Sequence, residues 1–184
     1  MRKAIGWALA ILGCTALWQA GWAGEAKKIE LTPDNTKIEW TGTKPGGKHV
    51  GGFTKVSGSA EVAAGAVSKI ALDIDCNSLT SDTPKLTKHL KSADFFEVVN
   101  HPKATFVTTK IEAGSDVAKA THTITGDLTI RGKTKSIVIP ATVSAKDGLT
   151  LSSSFTISKK DFGMTYGEGK IDDAVTIKVS VKAK

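Results

Sequence analysis

The side chains that could do chemistry in this chain are few and scattered. Its four histidines, His49, His89, His101 and His122, show no H-x-x-x-H spacing, and Cys76 sits in no C-x-x-C pair, so no metal site is expected. Asp73, Asp75 and Asp127 would be the acids of an acid–base pair, but each falls on the polar side of an alternating run. No G-x-S-x-G elbow is present. Gly126–Thr134, GDLTIRGKT, imitates a phosphate-binding loop, yet five residues separate its glycines instead of four, and it reads as strand and turn. Asp161-Phe162-Gly163 echoes a kinase triplet in a chain without the other kinase motifs. No catalytic residue is therefore expected. One stretch could hold an anion. Residues 43–49, TKPGGKH, combine glycines that let backbone amides approach with the cations Lys44, Lys48 and His49. A solvated loop has the same composition, as do Arg131, Lys133 and Lys135 around a predicted turn.

The elements that must carry these residues have period two. In 148–158, Leu149, Leu151, Ser153, Phe155 and Ile157 share one side and Thr150, Ser152, Ser154 and Thr156 the other. In 174–182, Val175, Ile177, Val179 and Val181 alternate with Thr176, Lys178 and Ser180. Such runs are strands with one dry face and one wet face, the mark of antiparallel sheet. Strands are predicted near 28–33, 36–43, 50–58, 66–75, 103–112, 121–131, 134–144, 148–158 and 173–183, with Gly132-Lys133 and Lys146–Gly148 as tight connections. One helix is predicted over 84–93, with Thr83 as cap and Pro84 in the first turn. The fold class is all-β. Eight or nine one-sided strands must stack as a sandwich or close into a barrel, and periodicity alone does not choose. A barrel of that size is either filled by side chains or holds one small ligand.

The first 23 residues read differently. Arg2 and Lys3 precede an apolar run from Ala4 to Leu17, and Gly21-Trp22-Ala23 suits a signal-peptide cleavage site. The expected division is a signal peptide at 1–23 and one domain at 24–184, exported to the periplasm, with no stable membrane insertion once the leader is gone. Cys14 also sits in a weak lipoprotein-like context. Cleavage leaves Cys76 as the lone thiol, expected to pack as a small apolar group with no disulfide. The formal charge of +7 is spread over single lysines without aromatic platforms, which argues against nucleic acid.

Several blocks in series carry a family likeness: TKIEWTGTKPGGKHVGGFTKVSG at 36–58, IALDIDCNSLTSDTP, HLKSADFFEVVNHPKATFVTTKIE, HTITGDLTIRGKTKSIVIPATV and KKDFGMTYGEGKIDDAVTIKVSVKAK. The chain resembles the YceI family of bacterial polyisoprenoid-binding proteins from about residue 30 to its end. Phe95–Phe106, an FF-x-V-x-x-x-P-x-x-x-F segment, is the most telling block, and His101 stands where the family often has an aromatic residue. The resemblance implies a lipocalin-like, antiparallel eight-stranded β-barrel with an apolar cavity. It implies a periplasmic carrier for a long-chain isoprenoid, such as a quinone or polyprenyl phosphate, or a similar amphiphilic lipid. It implies no enzyme and no cofactor beyond such a lipid. The expected lining residues are Trp40, Phe53, Leu72, Ile74, Leu90, Phe95, Phe96, Phe106, Ile124, Leu128, Ile139, Leu151, Phe155, Phe162 and Met164. Read without the resemblance, the same side chains could form a packed core. Phe95 and Phe96 are expected to plug one barrel end beside the helix, and Lys44, Lys48 and His49 are the head-group candidates. Two other readings stay open: a filled-barrel, stress-related interaction protein, and an accessory enzyme or chaperone of isoprenoid metabolism. Ligand chain length and a homodimer across the mouth are not specified.

Overall fold

The computed structural model describes residues 26–184. The predicted signal peptide and Cys14 lie outside the described residues. Alternating side chains produce eleven strand segments: β1 (Lys27–Leu31), β2 (Thr36–Lys44), β3 (Gly47–Phe53), β4 (Val56–Ala63), β5 (Ala66–Asp75), β6 (Leu79–Ser81), β7 (Lys103–Ala113), β8 (His122–Ile130), β9 (Lys133–Ser144), β10 (Leu149–Ser158) and β11 (Ala174–Ala183). Among the described residues one α-helix, α1 (Pro84–Leu90), crosses between β6 and β7. All pairings are antiparallel, in the order β1-β4-β5-β7-β8-β9-β10-β11-β2-β3-β6.

The ends of that order are covalently continuous, and this decides between sandwich and barrel. β1 runs into β2 through Thr32–Asn35, β3 into β4 through Thr54-Lys55, and β5 into β6 through the 3-10 turn Cys76–Ser78. Joining each broken pair leaves eight long strands in a ring, so the expected eight-stranded barrel and the eleven segments are one object. The ring closes where β11 meets β2, from Val175 opposite Gly42 to Val181 opposite Thr36. The breaks are polar corners. Asn35 Oδ1 accepts from the Thr32 amide at 2.9 Å. Ser78 Oγ accepts from the Lys55 amide at 3.0 Å and donates to the Asp75 carbonyl at 2.7 Å, tying the second corner to the third.

Three local predictions differ from the structure. The strand predicted at 50–58 is two segments, because the chain bends at Thr54-Lys55. The hairpin after β8 turns on Arg131-Gly132, both in the left-handed region (φ 51° and 69°), one residue earlier than predicted. The helix ends at Leu90 rather than 93, since the Ser92 hydroxyl takes the His89 carbonyl at 2.7 Å and the chain coils inward. Its cap is as predicted: the Leu86 amide donates to Thr83 Oγ1, with Pro84 in the first turn.

The inward faces build one core from Leu31, Ile38, Ile70, Leu72, Phe106, Ile124, Ile139, Leu149 and Leu151 through the lower barrel. Gly126 is required there. A Cβ at that position would stand 2.5 Å from the Phe106 ring that crosses it. Buried Thr108 donates to the Ile70 carbonyl and accepts from its amide, and Ser153 donates to the Pro140 carbonyl at 2.6 Å, so these inward hydroxyls are satisfied.

Candidate functional site

The upper barrel is not filled. A cavity of about 270 Å³ lies between the strand ends, α1 and the segments 90–96 and 157–177. Its walls include Trp40, Phe53, Ile74, Leu90, Phe95, Phe96, Leu128 and Met164 from the predicted set. They also include Leu86, Ala104, Ile130, Ile157, Ile171, Val175 and Ile177, which were not among the expected lining residues. A second void of about 70 Å³ lies in the lower barrel. Leu72, Phe106, Ile124, Ile139 and Leu151 face this smaller void and not the main cavity. Ile74 lines both spaces and so forms part of the floor between them. Phe155 and Phe162 line neither. Phe162 is fully buried in the 3-10 turn Lys160–Phe162, and Phe155 packs half-buried against the core.

The mouth is closed in part by aromatic rings. Phe95 is buried and meets His89 edge-on at 5.1 Å and Tyr166 at 5.4 Å, while Phe96 meets Phe53 at 5.9 Å and 71°. Both phenylalanines line the cavity. Tyr166 also stacks edge-on against His89 at 4.7 Å, bringing the loop after β10 over α1. Arg131 ties these segments together. Its guanidinium donates to Glu97 Oε2 at 2.8 Å and to the Gly163 carbonyl at 2.9 Å. The solvated role expected for Arg131 is thus corrected: the hairpin tip points the side chain back into the mouth. The Asn100 amide and then Arg131 hold the Glu97 carboxyl below its ordinary range.

The anion loop expected at 43–49 is a tight hairpin. Pro45 and Gly46 form the turn, with Gly46 at φ 76°, and the flanking residues pair Thr43 with Lys48 and Lys44 with Gly47. Backbone groups committed to that ladder do not form an open cradle. Lys44 stands exposed on the cavity rim, Lys48 is exposed and does not line the cavity, and His49 lines it with Nδ1 already engaged by Asp82 at 3.0 Å. The other histidines are dispersed as their spacing suggested: His89 meets Asp94 at 2.8 Å, His101 lies 3.9 Å from Glu97, and His122 meets Thr121. Cys76 is buried, and burial, then the Asp75 charge, push its thiol up to about 11 against an opposing backbone hydrogen bond from Ala104. It packs as the small apolar group expected of it. Lys159, 4 % exposed, lines the cavity.

Residues 30–183 match the YceI-like domain. The chain belongs to the YceI-like family. A UPF0312 protein of Pseudomonas putida is 31 % identical over 179 residues, covering 91 % of each chain. Among solved structures, BcnA of Burkholderia cenocepacia is similar with a TM-score of 0.69 at 25 % identity, over 79 % of this chain and 94 % of that one. A polyisoprenoid binding domain from Saccharophagus degradans shares the fold with a TM-score of 0.64 at 14 % identity, over 85 % and 98 % of the two chains. In this YceI-like barrel the family's telling segment, Phe95–Phe106, spans the mouth plug, the turn that bears Glu97, and the start of β7.

Proposed function

We propose that this protein binds a long-chain isoprenoid or similar amphiphilic lipid in the upper cavity and carries it in the periplasm. The observation that carries the reading is the apolar space of about 270 Å³ left open inside a barrel whose lower half closes around a void of only about 70 Å³. Ligand sites are concave, mostly apolar and roughly 300–1,000 Å³ for drug-sized molecules, so this cavity takes part of a long chain. The rest must leave through the mouth or pass Ile74 into the lower void. The relative described as a polyisoprenoid binding domain supports the ligand class by fold alone. The leader-like first 23 residues support export. Among the described residues no helix is long and apolar enough to cross a membrane.

A binding role, not catalysis, suits the walls. Asp172, which lines the cavity, accepts from the Thr43 hydroxyl at 2.5 Å, and its neighbour Asp173 accepts from the Ser158 hydroxyl at 2.6 Å. The test is native mass spectrometry of the exported protein with organic extraction of its cargo. A discrete bound mass that fragments as a prenyl ladder supports the carrier. Bare protein that also refuses prenyl lipids in titration ends this reading and favours a filled-barrel interaction role.

A further inference from the structure

Among the described residues, two buried side-chain nitrogens have no hydrogen-bond partner: Lys159 Nζ and Trp40 Nε1. Both are donors, and both residues line the same cavity. Lys159 also makes no direct ion pair among the described residues, although its charge, after the hydrogen bonds from the Ser158 hydroxyl and from Lys160, helps hold the nearby Asp173 and Glu168 carboxyls below their ordinary range. Those carboxylates accept their hydrogen bonds from other groups. Asp173 accepts from the Ser158 hydroxyl and from the Lys160 amide at 3.0 Å. Glu168 pairs with Lys160 at 2.6 Å, and Asp172 accepts from Thr43. The wall residues beside Lys159 in the chain, Ile157 and Met164, are apolar, and the Met164 amide donates to the Lys159 carbonyl.

A buried ammonium with no hydrogen-bond acceptor is a costly group for a fold to keep. Completing it with an oxyanion turns that cost into a charge-assisted hydrogen bond strengthened by the low local dielectric. We infer that Lys159 receives the acidic head group, a phosphate monoester or a carboxylate, of an amphiphile whose chain fills the apolar cavity, with the Trp40 indole N–H as a further donor to that ligand. This rests on reading the cavity as a lipid site. It places the head group inside the barrel rather than among the rim cations Lys44 and His49.

The test uses four probes on the lipid-stripped full chain: farnesyl phosphate, farnesoic acid, farnesol and inorganic phosphate. The two acids should bind more tightly than farnesol by about tenfold or more, the effect of one charged hydrogen bond, and their ratio tells which oxyanion fits. Inorganic phosphate alone should bind far more weakly than farnesyl phosphate. Lys159→Met should abolish the preference for acid over farnesol, read as the ratio of the two affinities in that variant, and should raise the urea midpoint by removing a buried ammonium that makes no hydrogen bond. Lys159→Arg should keep the preference, which holds the test open if the Met variant fails to fold. Equal binding of acid and alcohol by the wild-type chain overturns the head-group assignment and leaves the lipid cavity standing. Inorganic phosphate binding as tightly as farnesyl phosphate overturns the amphiphile. If none of the prenyl probes binds, the lipid reading itself falls.

Discussion

Replacing Ala104 by leucine asks whether the upper cavity is space or packed core. Ala104 is 3 % exposed, points inward from β7, sits opposite Ile74 in the ladder and lines the cavity. Leucine adds three carbons, each worth about 0.8 kcal/mol if buried without strain. Fixing the new side chain costs about 0.5–1 kcal/mol. The net expectation is a stabilisation of about 1.5 kcal/mol, a rise in Tm of about 3–6 °C for a chain of this size. The same leucine takes volume from a space of about 270 Å³, so binding of N-phenyl-1-naphthylamine, an apolar fluorescent probe, should weaken. The assay is urea and thermal unfolding of lipid-stripped protein, because bound lipid would itself raise the midpoint. A destabilisation of about 1–3 kcal/mol, the usual cost of overpacking, with unchanged probe binding would refute the reasoning and mean that the site is already full.

Ile74→Ala should join the two voids that Ile74 lines, at a cost of about 2–5 kcal/mol in urea unfolding, and should shift binding toward longer prenyl chains in a chain-length series. Arg131→Met should speed amide hydrogen exchange at Phe95–Val98 by about tenfold, as the mouth loses its tie to Glu97 and Gly163. The tie is also acid-sensitive. Glu97 is lowered in the fold, so its contribution is full above the ordinary glutamate range and is lost as pH falls through the lowered value; exchange at the same amides followed from pH 6 to 3 checks this. Cys76 should resist Ellman's reagent until the protein unfolds. With the folded thiol at about 11 and the unfolded one lower, stability should be full below about pH 8.5 and decline as pH rises through 11, by at most about 1.4 kcal/mol per unit, and Cys76→Ala should remove that slope in urea unfolding.

Much of this was legible in the chain because a strand's side chains alternate rigidly. Leu149, Leu151, Ile124 and Leu128 were placed inward by parity alone, and they are buried. Whether an inward residue faces a void or a neighbour depends on which strands meet across the barrel. Phe155 and Leu128 could therefore not be told apart by their sequence patterns, though only Leu128 reaches the cavity. Lys159, two residues before the Asp161-Phe162-Gly163 triplet, was in none of the motifs read for chemistry. Its signal was present all the same: it continues the inward parity of Leu149, Leu151, Ser153, Phe155 and Ile157 by one more step. Arg131 gave no such signal. Its role depends on a left-handed turn and on Glu97 and Gly163, far away in the chain, folding to the same rim.

The seam between β11 and β2 has a consequence for how the chain comes to be folded. β11 carries ladders to both β10 and β2, so the ring cannot close until the last ten or so residues arrive. Closing it joins segments about 140 positions apart, the kind of distant contact that slows folding. Until then β10 and β2 present bare hydrogen-bonding edges, which are templates for other chains. A chain cut before Ala174 would keep most of its apolar residues and still lack any way to hide those edges, so its expected fate is aggregation rather than a looser barrel.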